Sequence, residues 1–242
     1  AVRASRPDLL VTAGGGSPID TTKAVQICLN HDIVRAADLL ELAGKAPARE
    51  PSRVRQIIVP TTLSGGEYSN VAGVTDPARR LKDAYAGIDL CARTVILDPE
   101  ATLHTPEWLW LSTAIRALDH AVEGYCAAAT NPMVQGLALH AMRLFATSLR
   151  RPKAAPSDLS ARLQSQQAVW LAAAGLGRVP MGASHGIGYL LGTMCGVPHG
   201  HTSCVMLPAV LRWNAAATAE RQRDIAAALG MPDASASEAV AA

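Results

Sequence analysis

The sequence predicts a parallel α/β domain followed by an all-helical one, on three observations. Two glycine-bearing loops each follow directly on a short apolar run. Strand signals stop near residue 106 and helical periodicity takes over. The composition, 49% hydrophobic over 242 residues, is that of a chain able to bury a sizeable core without disulfides.

Residues 8–13 (DLLVTA) form an apolar run ending in Gly14, Gly15 and Gly16, the pattern of a buried parallel strand entering a tight turn. A helix is expected at once, with Ser17 as N-cap, Pro18 at the first helical position and Asp20 completing an S-x-x-D capping box. Residues 35–44 suggest a second helix, and residues 45–53 (KAPAREPSR) a polar, proline-bearing loop. A second strand at 56–59 (QIIV) runs into TTLSGGE at 61–67, and a third at 94–97 (TVIL) stops at Asp98 and Pro99. Beyond Pro106, Leu111, Ile115, Leu118, Val122 and Tyr125 recur at helical spacing, and further helices are predicted at 132–149, 158–176, 185–194, 201–213 and 218–229. This change in character divides the chain into residues 1–103 and residues 104–242.

Lys and Arg number 22 against 20 Asp and Glu, for a formal net charge of +2, without a block of like charges and with 4% aromatics. Nucleic-acid binding lacks its electrostatic footprint. No apolar run reaches bilayer length, and the first residues lack the apolar segment of a secretory signal, so a cytoplasmic protein without membrane contact is expected. The five cysteines are scattered and include no C-x-x-C, which suggests neither a disulfide framework nor a thiolate zinc site.

Three groups of residues can carry chemistry. Gly14, Gly15, Gly16 and Ser17 lie between a strand and a helix start, where backbone N–H groups can receive a pyrophosphate. The spacing is neither GxGxxG nor a P-loop, and Asp20 would compete with an anion for the helix dipole. Thr61, Thr62 and Ser64 follow the second strand, and both loops face one crevice if the two strands are neighbours. The third group is histidine: His120, His185, His199 and His201, with Arg116 and Glu123 on the face of His120. Three imidazoles from separate helices can hold a divalent metal or line the pocket of an acidic substrate. His31, His104 and His140 are expected to be ordinary histidines.

Taken together, GGGSPIDTTKA at 14–24, VPTTLSGGE at 59–67, GVTD at 73–76, ILDPEAT at 96–102, ALDHAVEGY at 117–125, SHGIGYLLG at 184–192 and PHGHTSCVMLPAVLRWN at 198–214 resemble the iron-containing, or group III, alcohol dehydrogenase family. The resemblance implies an N-terminal NAD(P)-binding α/β domain, a helical substrate and metal-site domain, and hydride transfer in the cleft between them. It implies that Gly14, Gly15, Gly16 and Ser17 cradle the pyrophosphate, with Asp20 near the nicotinamide ribose. Thr61, Thr62 and Ser64 would line the cofactor groove, and Lys82 would approach the nicotinamide ribose. It also implies that both ends of the family pattern, the leading βα units and the trailing helices, are incomplete in this chain, and that some apolar surface serves missing segments or self-association.

In metal-dependent members an aspartate, a histidine four residues later and two further histidines hold iron or zinc. The histidines match at His120, His185 and His199, but the aspartate position is Arg116. A guanidinium cannot ligate a metal and places a fixed positive charge where a dication would sit. Asp119 is not expected to substitute, because one residue of helix turns its side chain by roughly 100°. Tyr189 replaces an additional histidine of many family members, and the loop after Thr62 reaches Glu67 one residue early. These departures resemble the maleylacetate reductase side of the family, which needs no catalytic metal. The expected activity is NAD(P)H-dependent reduction of the enone of 2-maleylacetate to 3-oxoadipate in aromatic compound breakdown. Arg116 would grip a carboxylate of the dicarboxylate substrate, and His120, His185, Tyr189, His199 and His201 would supply hydrogen bonds or the proton. The alternatives are a metal-dependent alcohol dehydrogenase and a non-catalytic fragment of such an enzyme.

Overall fold

The computed structural model describes residues 2–45, 52–76, 78–79 and 81–242, without the side chains of residues 153 and 154. Most of the loop expected at residues 45–53 lies outside the described residues. The chain divides into two compact units, one of residues 1–61 and 66–98, the other of residues 62–65 and 99–242.

In the first unit, β1 (Leu9–Gly14), β2 (Arg55–Pro60) and β5 (Thr94–Val95) form a parallel sheet in the order β1-β2-β5. Residue 96 continues the ladder beyond β5, its N–H bonding the Ile58 carbonyl. Helix α1 (Gly16–Asn30) follows β1 and is tied to the sheet by a polar seam. Gln56 Nε2 donates to Thr12 Oγ1 (2.7 Å), the Thr12 and Thr22 hydroxyls meet at 2.9 Å, and the Thr22 hydroxyl donates to the Pro18 carbonyl (3.0 Å). Each buried hydroxyl thereby keeps a partner, as burial requires.

The start of α1 corrects the sequence reading. Its N-cap is Gly15, with extended backbone and no side-chain cap, so Ser17 and Pro18 lie inside the first turn. The Asp20 carboxylate does not close a capping box; its Oδ2 accepts the Gly73 N–H at 3.1 Å. The reason is a hairpin that the sequence reading did not contain, β3 (Val71–Asp76) paired antiparallel with β4 (Leu81–Ala86). Ala, Gly, Asp and Lys dominate these strands, and their β-propensity is poor. They pair because Ala72 and Tyr85 enter a core cluster with Ile27 and Leu90, against which Ile33, Leu39, Leu42 and Val74 pack. The helix expected at 35–44 is shorter, α2 (Ala36–Leu40) followed by a turn.

The second unit is helical throughout its described residues: α3 (Glu107–Cys126), α4 (Pro132–Ser148), α5 (Arg150–Ala154), α6 (Leu159–Ala172), α7 (Ala183–Cys195), α8 (His199–Trp213), α9 (Ala219–Ala228) and α10 (Ala236–Ala241). Local signals start several of them. Asn131 caps α4 through the Val134 N–H, Asp158 caps α6 through Ala161, and Ser235 with Glu238 forms a capping box on α10. Gly196 ends α7 in the left-handed conformation, φ +67°. Helix α3 is the axis of the unit, with every residue from Arg116 to Tyr125 buried. None of the described helices is long and apolar enough to cross a membrane.

Candidate active site

The two loops that follow β1 and β2 begin side by side, as a shared crevice requires. Gly14 pairs with Pro60 in the sheet register, and the Thr61 N–H donates to the Gly14 carbonyl at 3.0 Å. Gly14 has φ +156° and lies so close to Pro18 that a Cβ there would stand 2.8 Å from its Cγ, which requires glycine. Gly66 approaches the other loop, since a Cβ on it would lie 3.9 Å from the Gly16 Cα. The N–H groups at the start of α1 carry no side-chain cap and Ser17 is exposed. An uncapped helix N-terminus among glycines suits a pyrophosphate.

Behind this loop is a cluster that the sequence reading did not find. Lys23 is fully buried, and its ammonium donates to the carbonyls of Gly66 (2.6 Å), Ser69 (2.7 Å) and Val71 (3.0 Å). The whole donor capacity of the cation is used on backbone, fixing the segment after the second loop against α1. Glu67 is buried beside it, and burial raises its carboxyl to about 7 against the opposing pull of its own backbone hydrogen bond and Lys23. Burial also raises the Asp20 carboxyl, opposed by Lys23, the Gly73 N–H and Lys82. A methyl group at Gly73 would overlap the end of the Lys82 stem, so Lys82 lies across this glycine toward Asp20.

Thr62 and Ser64 belong to the second unit, where their hydroxyls meet at 3.2 Å and the Leu63 N–H donates to Thr113 Oγ1 on α3 (3.1 Å). Gly65, with φ +76°, passes close to His120; a Cβ there would lie 3.8 Å from the imidazole Nδ1. Gly65, within the second unit, thus lies beside the histidine group that α3, α7 and α8 assemble. His120 and His185 stack with centroids 4.7 Å apart and planes at 28°. Burial, followed by charge on His185, Arg116 and His199, holds His120 well below the usual histidine range and therefore neutral. Arg116, His185 and His199 consequently fall within electrostatic reach of His120. His201 lies against Trp108, centroids 5.8 Å apart, and Tyr189 is 38% exposed on α7. His31, His104 and His140 are exposed, away from this group's buried interior.

The carboxylates around these rings are more engaged than the sequence suggests. Glu123 Oε2 lies 2.6 Å from His185 Nδ1 and accepts the Gly182 N–H (2.8 Å), while Oε1 accepts the Ser184 N–H (2.7 Å). Burial works against ionisation of Glu123, but His185 and these backbone donors outweigh it and lower its carboxyl below the usual range. Asp119 is completely buried, and its Oδ2 accepts the hydroxyls of Ser184 (2.7 Å) and Ser203 (2.6 Å). It also lies 3.4 Å from His185 Nδ1 and 3.9 Å from Arg116 Nη1. The expected exclusion of Asp119 on rotational grounds therefore fails. Helix α3 is buried all round, so residues one apart can both meet the surrounding helices. Arg116 Nη1 donates to Ser203 Oγ at 3.0 Å. His120 Nδ1, His185 Nε2 and Asp119 Oδ1 have no hydrogen-bond partner among the described residues.

Comparison with known proteins agrees with this architecture. A family model described as iron-containing alcohol dehydrogenase matches residues 1–99, and one described as the C-terminal part of the Fe-containing alcohol dehydrogenase family matches residues 110–242. The chain is 36% identical over 230 residues to the dehydrogenase ALT3 of Alternaria alternata, covering 88% of this chain and 59% of that protein. It is 32% identical over 228 residues to lactaldehyde reductase of Escherichia coli, covering 94% and 58%. It is 33% identical over 207 residues to maleylacetate reductase of Delftia acidovorans, covering 86% and 52%. The chain therefore spans 52–59% of the length of these relatives. Among solved structures it is similar to maleylacetate reductase from Agrobacterium tumefaciens, with TM-score 0.81, 28% identity and coverage of 98% of this chain and 60% of that one. It is also similar to sulfoacetaldehyde reductase from Bifidobacterium kashiwanohense in complex with NAD+, with TM-score 0.86, 26% identity and coverage of 99% and 63%.

Proposed function

The chain belongs to the iron-containing alcohol dehydrogenase family, and from that premise we propose that its protein is an NAD(P)H-dependent reductase of the maleylacetate type. It reduces the enone double bond of 2-maleylacetate to 3-oxoadipate. The observation that carries this reading is the buried guanidinium of Arg116 within electrostatic reach of His120; the resemblance to the family puts Arg116 at the position of the metal-binding aspartate. A dicarboxylate needs a fixed cation, and Arg116 has five N–H donors, with Nη1 engaged by Ser203. The remaining edge can grip a substrate carboxylate bidentately.

Cofactor binding is assigned to Gly14, Gly15, Gly16, Ser17, Asp20, Thr61, Thr62, Ser64 and Lys82. The uncapped start of α1 and the close approach of Gly66 to Gly16 fit a pyrophosphate there. NAD(P)H, when bound, supplies the hydride. Arrival of the hydride at the conjugated carbon leaves an enolate on the substrate, which needs a proton. His185, held through Nδ1 by Glu123, presents its otherwise unpartnered Nε2 as the position from which the enolate takes that proton. His120, held neutral, adds no competing charge, and Tyr189, His199 and His201 are assigned as further hydrogen-bonding partners of the substrate.

The fixed charge of Arg116, 3.9 Å from Asp119, opposes a dication at this donor set. The short Glu123–His185 contact occupies the imidazole Nδ1 and both serine hydroxyls are directed at Asp119 Oδ2, which leaves His185 Nε2, His120 Nδ1 and Asp119 Oδ1 as the donor atoms without a hydrogen bond among the described residues. The second reading, a metal-dependent alcohol dehydrogenase, draws on Asp119, Glu123 and His185, whose donor atoms lie within 4.8 Å of one another. Metal analysis of the intact protein separates the two: stoichiometric iron or zinc on which turnover depends overturns the metal-free reading. Arg116→Asp is expected to gain metal binding and lose turnover of 2-maleylacetate. Titration with NADH tests a third reading, a non-catalytic fragment, which gains if no binding is detected.

A further inference from the structure

We infer that Asp119 and Ser203 are positioning residues that fix the guanidinium of Arg116 and so set selectivity for a carboxylate-bearing substrate; this rests on the carboxylate-binding role proposed for Arg116. A serine hydroxyl has one proton to give and two lone pairs to receive. Asp119 is fully buried and accepts at Oδ2, 2.6 Å from Ser203 Oγ, so the Ser203 proton is directed at Asp119. That leaves the lone pairs of Ser203 for Arg116 Nη1 at 3.0 Å. The chain from carboxylate through hydroxyl to guanidinium has a single polarity, and it pins one nitrogen of the fork. Ser184, donating to the same carboxylate oxygen at 2.7 Å, holds Asp119 from α7. Gly188, one turn further along α7, completes the enclosure. A Cβ there would press on Thr202 at 3.0 Å and stand 3.9 Å from Arg116 Nη1. An arginine side chain with this many rotatable bonds would otherwise lose much of its affinity to disorder.

The test uses the intact protein with 2-maleylacetate and NADH, and the variants Ser203→Ala, Asp119→Asn and Arg116→Met. Asparagine can offer its N–H to Ser203, which reverses the chain and turns the hydroxyl proton on Arg116. Ser203→Ala and Asp119→Asn are each expected to raise KM for 2-maleylacetate about tenfold, with much smaller changes in kcat and in the Kd of NADH. Should Asp119→Asn fail to fold, Ser203→Ala alone decides. If Arg116→Met raises KM but the other variants leave it at the wild-type value, the positioning inference falls and the carboxylate role stands. A proportionate loss of kcat, KM and NADH affinity in Ser203→Ala also overturns the inference, since it reports a purely structural lesion. If the wild type does not turn over 2-maleylacetate, or Arg116→Met leaves KM unchanged, the carboxylate role falls and takes the inference with it.

Discussion

Glu123 of α3 serves as the N-terminal cap of α7 and as the hydrogen-bond partner of His185 at once. The N-cap of α7 is Gly182, which has no side chain to offer, and Glu123 accepts the N–H groups of Gly182, Ser184 and His185 in its place. A Cβ on Gly182 would lie 2.6 Å from Glu123 Oε1, so the glycine admits the carboxylate. The local deficiency of one helix is corrected by a residue some sixty positions away, with the imidazole of His185 anchored in the same contact at 2.6 Å.

Removing that carboxylate should loosen α7. Glu123→Ala leaves several buried donors without an acceptor and is expected to cost about 3 kcal/mol or more, read as a lowered urea midpoint. Glu123→Gln keeps an acceptor and should cost less. Because the folded Glu123 carboxyl lies below its ordinary 4.5, its stabilisation is present above that pH and is lost as pH falls through the folded value. Acid melts of Glu123→Gln should lack this component.

Glu67 titrates in the opposite sense. Its carboxyl moves from 4.5 in the unfolded chain to about 7 in the fold, so the native state retains a proton that the unfolded state releases. Its contribution is fully present below 4.5 and declines as pH rises to about 7, a difference of roughly 3 kcal/mol from the linkage relation. Glu67→Gln should remove this slope, measured as unfolding free energy across that range. A slope identical in both proteins would contradict the assignment.

Lys23→Met keeps the length of the stem and deletes the ammonium. The carbonyls of Gly66, Ser69 and Val71 then lose their shared donor, and the expected loss is about 3 kcal/mol or more in unfolding free energy. Wild-type stability in this variant would show that the cation does not secure the segment after the second loop.

Two glycines on helices of the second unit should respond with opposite signs. At Gly200 a Cβ would lie 2.7 Å from Ser112 Oγ and 2.9 Å from the Ser112 carbonyl carbon, so α8 must move away from α3. Gly200→Ala is expected to destabilise by about 1–3 kcal/mol. Gly136 on α4 has nothing within 4 Å of the same position, and Gly136→Ala should stabilise by about 0.5–1 kcal/mol through helix propensity. Thermal melts of the pair measure both.

The sequence by itself determined the order of strands and helices wherever an element carries its own signal. Apolar runs leading into glycine-bearing loops located β1 and β2, periodicity located α3 to α9 apart from short α5, and caps such as Asn131 and Asp158 are local chemistry. Its motifs also pointed to the loops at Gly14 and Thr61, which begin side by side in the sheet register, and to Arg116 and His120 four residues apart on α3. Tertiary structure alone decided what long-range contacts decide. The β3–β4 hairpin has little propensity of its own and pairs because Ala72 and Tyr85 find a core. Asp20 leaves its own helix for the Gly73 N–H, which no spacing announces. Asp119 joins the site because α3 is enclosed on every side, and helical phase selects a face only when one side meets solvent. Lys23 is buried because three backbone carbonyls, distant in sequence, fold around its ammonium, and nothing in the helical pattern marks it.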